Sequence, residues 1–264
     1  MSECYHSAEG SSPFVISFPH VGTGIPAEIA GTLTEAARLV PDTDWHVERL
    51  YDFAHGKGAS LVQATLSRYV IDLNRPPDDA SLYPGQTTTG LCPTETFDGL
   101  PLYREEGPDV AETERRRRRY WQPYHDELER LLARAVAMHG HATLLDAHSI
   151  ASEVPRLFAG RLPDVNVGTF NGQSCAASLS DGIVGVLRAQ SRFTHVLNGR
   201  FKGGYITRHY GRPLTGVHAV QLELGQSAYL DPPLDTYLEA RAAELKALLA
   251  RLVDVFVRFV PGSR

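Results

Sequence analysis

Cysteine is scarce, and its few copies form no pattern. Cys4, Cys92 and Cys175 are odd in number, widely spaced and without a C-x-x-C pair, which argues against a disulfide framework and a thiolate zinc site. Long apolar runs are missing as well. Nothing approaches the roughly 18 consecutive apolar residues of a membrane span, and the polar start, Met1 to Ser12, has no apolar signal core. A cytoplasmic protein without a membrane partner is expected, with residues 1–12 lacking fixed structure. Nor is charge of one sign abundant: the formal net charge of −5 is mild and mixed, so no nucleic-acid partner is indicated. The loop His20-Val21-Gly22-Thr23-Gly24-Ile25-Pro26 has two glycines, but neither a Gly-Lys-Ser/Thr nor a third glycine in the dinucleotide register, so it is not a phosphate loop.

What is present suits a packed enzyme. No repeat or linker divides the 264 residues, 42% of which are hydrophobic. One α/β domain spanning 1–264 is expected, a three-layer αβα arrangement with a mainly parallel or mixed central sheet. Strand candidates are Phe14–Phe18, Ser60–Ala64, Tyr69–Leu73, Thr143–Ser149, Asp164–Gly168, Phe193–Leu197 and Val217–Leu224. Helices are expected from about Trp45 to Ala54, Asp109 to His139, Ala176 to Gln190 and Leu234 to Val257. The five arginines Arg115 to Arg119 radiate around their helix beside Glu112 and Glu114, a solvated face rather than a nucleic-acid patch. Between Pro76 and Pro108 runs a Pro/Gly/Thr-rich stretch without a period; a loop of that length is read as a lid or substrate-binding loop.

Several apolar runs end in chemically useful residues. Thr143-Leu144-Leu145 leads into Asp146-Ala147-His148-Ser149, Phe14–Phe18 into Pro19-His20, and Tyr69–Ile71 into Asp72-Leu73-Asn74-Arg75. Alternation along a strand puts Asp146 and His148 on one side. His20, Asp44 and His148 would supply two imidazoles and a carboxylate, the minimum protein set for a catalytic zinc, with cobalt or manganese able to substitute. Asp42 and Asp44 could equally cap a helix N-terminus, and Asp42 and Glu48 compete with Asp44 as the acidic ligand. Glu223, between Leu222 and Leu224, would be costly to bury unless paired or working, and is the candidate general base. Asn74 with Arg75 is a fork for a carboxylate, and Arg200, Arg208 and Arg156 are candidates for a second one.

The ordered blocks Pro19-His20-Val21-Gly22, Asp42-Thr43-Asp44, Ser67 to Pro76, Asp146-Ala147-His148-Ser149, Asn198 to Arg208 and Gln221-Leu222-Glu223-Leu224 resemble the N-formylglutamate amidohydrolase family, from about residue 13 to the last helix. That family is related to the zinc carboxypeptidases and aspartoacylase. The resemblance implies a zinc-carboxypeptidase-like αβα fold, metal-dependent hydrolysis of N-formyl-L-glutamate to glutamate and formate, and a place in bacterial histidine degradation. It also implies His148 as the late histidine ligand, Glu223 as general base, and Asn74 and Arg75 as holders of a substrate carboxylate. One departure stands out: carboxypeptidases carry Glu three residues after the first histidine, where this chain has Thr23. Two rivals are weaker. Ser174 in Gly172-Gln173-Ser174-Cys175-Ala176 lacks the second glycine of a nucleophile elbow, and a non-catalytic binder of acidic metabolites has no use for Glu223 beside its ligand.

Overall fold

Alternation along the central strands sends side chains to two different cores. The computed structural model describes residues 4–82, 85, 88–231 and 236–262. In chain order these form β1 (Tyr5–Ala8), β2 (Phe14–Phe18), the short helices α1 (Ala27–Ala30), α2 (Glu35–Arg38) and α3 (Val47–Leu50), then β3 (Ser60–Ala64). A long helix follows as α4 (Val110–Arg116), a π turn (Arg117–Trp121) and α5 (Gln122–His139). Then come β4 (Ala142–Ile150), β5 (Val165–Gly168), α6 (Ala177–Arg188), β6 (His195–Leu197), α7 (Tyr205–Tyr210), β7 (Val217–Gly225), a small hairpin of β8 (Leu230–Asp231) and β9 (Thr236–Tyr237), and α8 (Glu239–Arg258).

The large sheet has the order β1-β3-β2-β4-β7-β5-β6. Strands β3, β2, β4 and β7 are mutually parallel, β1 runs antiparallel to β3, and β5 antiparallel to β7. Phe14, Ile16, Leu145, Val220 and Leu222 pack on one side with α6 and α8, through Leu179, Ile183 and Leu249. Val15, Val62, Leu144 and Ala219 pack on the other with α5, through Tyr124, Leu128 and Leu132. Helices therefore cover both faces of a mixed sheet, the three-layer arrangement expected. A third, much smaller cluster of Ile150, Val154 and Leu162, joined by Phe97, Leu157 and Phe201, is built from loops alone apart from Ile150 at the end of β4.

Several local expectations need correction. Tyr5–Ala8 is ordered, because the outer edge of β3 offers unpaired backbone groups that it satisfies. Tyr69–Leu73 is no strand: it turns immediately before Asn74, and side chains rather than a ladder take up the carbonyls of Val70 and Leu73. Only Val47–Leu50 of the helix expected over 45–54 is α-helical. Within the loop after β6 a six-residue helix, α7, forms unforeseen, and the expected start of the last helix at Leu234 lies outside the described residues.

Candidate active site

The face of the sheet that is apolar beneath α5 turns polar toward the carboxyl ends of β4 and β7. Ala142 and Leu144 give way to Asp146 and His148 on one strand, and Ala219 gives way to Gln221 and Glu223 on the next. The register sets Asp146 beside Gln221 and His148 beside Glu223. β2 lies on the other side of β4, and Pro19 and His20 follow its end. Chain connections leave β2 and β4 in opposite directions along the sheet, so His20 and His148 flank the crevice where open α/β sheets bind ligands.

The two imidazoles are set by carboxylates behind them. His20 Nε2 donates to Asp72 Oδ1 at 2.7 Å, and His148 Nε2 donates to Asp146 Oδ1 at 2.8 Å. The remaining nitrogens turn toward Asp44: His148 Nδ1 lies 2.9 Å and His20 Nδ1 3.8 Å from Asp44 Oδ2. All three residues are buried, and their ligand atoms lie within 4.8 Å of one another, a group that could hold a metal ion. The donor set fits one. Two nitrogen lone pairs and a carboxylate oxygen converge in a buried place, which is repulsive unless a proton or cation sits among them, and a carboxylate behind each ring fixes its tautomer and raises its basicity.

Electrostatics carry the same message. Burial alone would lower the pKa of His148, but the Asp146 and Asp44 carboxylates raise it well above the ordinary histidine range. Burial and the nearby Arg68 guanidinium lower that of His20. Burial works against an ionised Asp72, yet His20, Arg68 and Arg75 together hold its carboxyl well below the usual range. Glu223 is pushed up to about 8 by burial, with His148 opposing and Asp44 adding to the rise; its Oε2 accepts from Gln221 Nε2 at 3.0 Å.

These groups line a cavity of about 90 Å³. His20, Asp44, His148 and Glu223 share it with the cations Arg68, Arg75 and Arg200. Phe97, Ile150, Leu157 and Phe201 of the small loop cluster supply apolar wall. Asn74 is held hard: its Oδ1 accepts from Ile206 N–H at 2.8 Å and its Nδ2 donates to Asp146 Oδ2 at 3.1 Å, lying 2.9 Å from His148 Nε2. Gly204 makes this possible, since a Cβ there would sit 2.4 Å from Asn74 Nδ2. Arg75 reaches across to the long loop, donating to Thr89 O at 2.8 Å and Thr89 Oγ1 at 2.9 Å. Arg200 donates to Leu157 O at 3.2 Å.

Arg156 and Arg208 stand outside the lining. Arg156 is bound to Glu95 and Thr96 O, and Arg208 to Gly203 O and Leu82 O, so both tie loops together. Asp42 is not among the groups that could hold a metal or line the cavity, and it accepts Phe97 N–H. Asp44 caps no helix; its Oδ2 accepts Ser149 N–H at 3.2 Å. Sequence reasoning assigned no role to Arg68, buried with its Nη2 2.6 Å from Asp72 Oδ2 and Nη1 3.9 Å from Asp44 Oδ1. Asp72 itself lay in a motif chosen for Asn74 and Arg75; the signal for both was the four-residue spacing of an Arg and an Asp able to pair with each other.

A crevice at strand ends with carboxylate-backed imidazoles, a buried glutamic acid and several guanidinium groups equips a hydrolase of carbonyl compounds. Comparison with known proteins narrows that class. The N-formylglutamate amidohydrolase family model matches residues 12–230. The chain is 49% identical over 251 residues to the N-formylglutamate deformylase of Pseudomonas putida, covering 94% of each. It is 49% identical over 256 residues to that of Pseudomonas aeruginosa, covering 96% of each. The crystal structure of an N-formylglutamate amidohydrolase from Ralstonia eutropha JMP134 superposes with a TM-score of 0.83 at 26% identity, over 97% of this chain and 99% of that one. A gene product of Agrobacterium tumefaciens, at 18% identity and a TM-score of 0.71 over 96% of each chain, shares the fold. The chain belongs to the N-formylglutamate amidohydrolase family and is a hydrolase acting on a linear amide bond.

Proposed function

We propose that this enzyme hydrolyses N-formyl-L-glutamate to L-glutamate and formate, with a divalent metal, zinc by preference and cobalt or manganese as substitutes, held by His20, Asp44 and His148. The observation that carries the metal is the convergence of both Nδ1 atoms on Asp44 with Asp72 and Asp146 behind the rings. When bound, such a metal supplies Lewis acidity and lowers the pKa of water in contact with it. The substrate follows from the relatives and from the cations around the cavity, which suit a small dianion.

The chain's own residues then divide the work. Glu223, beside His148 in the cavity, takes a proton from the attacking water and delivers it to the leaving nitrogen as the C–N bond breaks. Arg68 faces the same cavity and stabilises the negative charge that grows on the formyl oxygen. Arg75, steadied by Asn74, and Arg200 bind the two carboxylates. The loop over 76–108 acts as a lid: Thr88 and Thr89 line the cavity, and Arg75 would exchange its bonds to Thr89 for a carboxylate. A cytoplasmic setting fits three cysteines that form no disulfide.

The deciding experiment offers purified protein of known metal content a panel of N-formyl and N-acetyl derivatives of glutamate and aspartate, with formate and acetate release measured. Formate from N-formylglutamate at the highest kcat/KM is expected. Faster turnover of any other member would displace the assignment.

A further inference from the structure

The arm that carries Asp72, Asn74 and Arg75 has no ladder to hold it. Its segment from residue 68 to 75 is turn and irregular chain, yet side chains of one helix take up three of its carbonyls. Arg116 Nη1 donates to Val70 O at 3.1 Å, His125 Nε2 to Leu73 O at 2.9 Å, and Trp121 Nε1 to Arg75 O at 3.1 Å. Between Arg116 and His125 lies the π turn Arg117–Trp121. At ~100° per residue, an unbroken α-helix would rotate Arg116 about 80° away from Tyr124. The π turn absorbs one residue and brings them within about 20°; Arg116, Trp121 and His125 reach the arm, while Tyr124, buried beside them, bonds Ser17 Oγ and Val62 O on the sheet.

The Trp121 and His125 rings are themselves locked. They stack with centroids 3.7 Å apart, and Tyr205 packs on both. His125 Nδ1 lies 3.0 Å from Tyr210 OH, which donates to it because Nε2 already carries the ring proton toward Leu73. Tyr205 N–H in turn donates to Asn74 O at 3.4 Å. The two residues that flank Asn74 in the chain are thus fixed by one stacked pair, neither ring of which lines the cavity itself.

We propose that Trp121 and His125 are positioning residues for substrate binding: through the carbonyls of Arg75 and Leu73 they aim Asn74 and the Arg75 guanidinium at a substrate carboxylate. The inference rests on the reading of Arg75 as a carboxylate-binding residue. Losing one neutral hydrogen bond at such a hinge lets the arm drift, with an expected loss in carboxylate binding of roughly tenfold.

The test compares Trp121→Phe, which keeps a stacking ring without the N–H, with His125→Gln, which keeps a donor for Leu73 O, and with His125→Leu, which has none. Each is assayed for kcat and KM with N-formylglutamate and its two mono-amides, alongside melting temperature and bound metal. Trp121→Phe and His125→Leu should raise KM about tenfold with kcat changed less than about threefold and metal retained. They should also shrink the preference for the diacid over one of the mono-amides, while His125→Gln stays near wild type. A purely structural role would lower kcat in proportion to folded protein and leave that preference intact, which overturns the proposal. Arg75→Lys separates the two layers: if it abolishes the diacid preference while Trp121→Phe preserves it, only the positioning role falls. If Arg75→Lys preserves it, the reading of Arg75 falls and the positioning role with it.

Discussion

Asp72 accepts the Nε2 proton of His20 across 2.7 Å in a place closed to solvent. The bond decides which nitrogen of His20 faces Asp44, and the other Asp72 oxygen holds the Arg68 guanidinium at 2.6 Å. One carboxylate therefore orients both an imidazole of the group that could hold a metal and a cation that lines the same cavity. Asp72→Asn should lower metal affinity and kcat/KM by about ten- to a hundredfold, the usual cost of losing a carboxylate behind a ligating imidazole. Metal titration against a competing chelator is the measurement, and an unchanged metal affinity would sink the assignment.

Removal of metal should abolish turnover, and zinc added back should restore it. An ion that binds only the folded chain stabilises it, so the stripped protein should also melt at a lower temperature. His148→Ala should show low metal content and low rate together. A stripped sample that still releases formate at full rate would end the metal reading.

Glu223→Gln keeps size and strand position but cannot accept a proton. General-base catalysis contributes about 10² to 10⁴ in rate, so kcat should fall at least about a hundredfold with KM and bound metal little altered. Loss of metal in this variant would instead make Glu223 a ligand. Near wild-type kcat would remove it from the mechanism.

Acid should probe His125. Burial pushes its pKa down to about 3, with His209 adding to the depression and the Leu73 carbonyl opposing it, against about 6.5 in an unfolded chain. Tyr205 and Tyr210 pack on the ring. Above pH 6.5 neither state binds the proton, and no stability is lost. As pH falls from 6.5 toward 3 only the unfolded chain takes it up, so stability drops by up to ~1.4 kcal/mol per pH unit from this group. Unfolding by denaturant, followed through Trp121 and Trp45 fluorescence across that window, should show a slope smaller by nearly one proton in His125→Gln. Equal slopes would refute the assignment.

Much of this was legible because the site sits where strands end. The apolar runs before His20 and His148, and the isolated Glu223 within β7, each carried a signal of period and polarity that survives in one dimension. Asp44 was chosen over Asp42 and Glu48, and the structure brings it between the histidines. Arg68 escaped notice because its partners, Asp72 four residues on and Asp44 twenty-four residues back, meet only in space. Arg156 and Arg208 lie outside the cavity lining, which escaped notice for the converse reason: a cation in a loop looks the same in sequence whether it meets a ligand or a backbone carbonyl. Tyr69–Leu73, within the irregular arm, reads as a strand because apolar and aromatic residues suit both a ladder and a packed turn, and only the helix that bonds carbonyls of the arm distinguishes them.

The loop cluster of Ile150, Val154 and Leu162 with Phe97, Leu157 and Phe201 is small and separate from the two large cores. Its apolar area sets a modest cost for local opening, well below that of global unfolding. His148 and Glu223, by contrast, stand on β4 and β7 in the middle of the sheet. Warming should then loosen the rim many degrees before the floor gives way, and activity should begin to curve downward while the bulk of the chain still resists hydrogen exchange. An enzyme built in this way can empty and refill at its rim while the histidines stay in the part of the molecule that melts last.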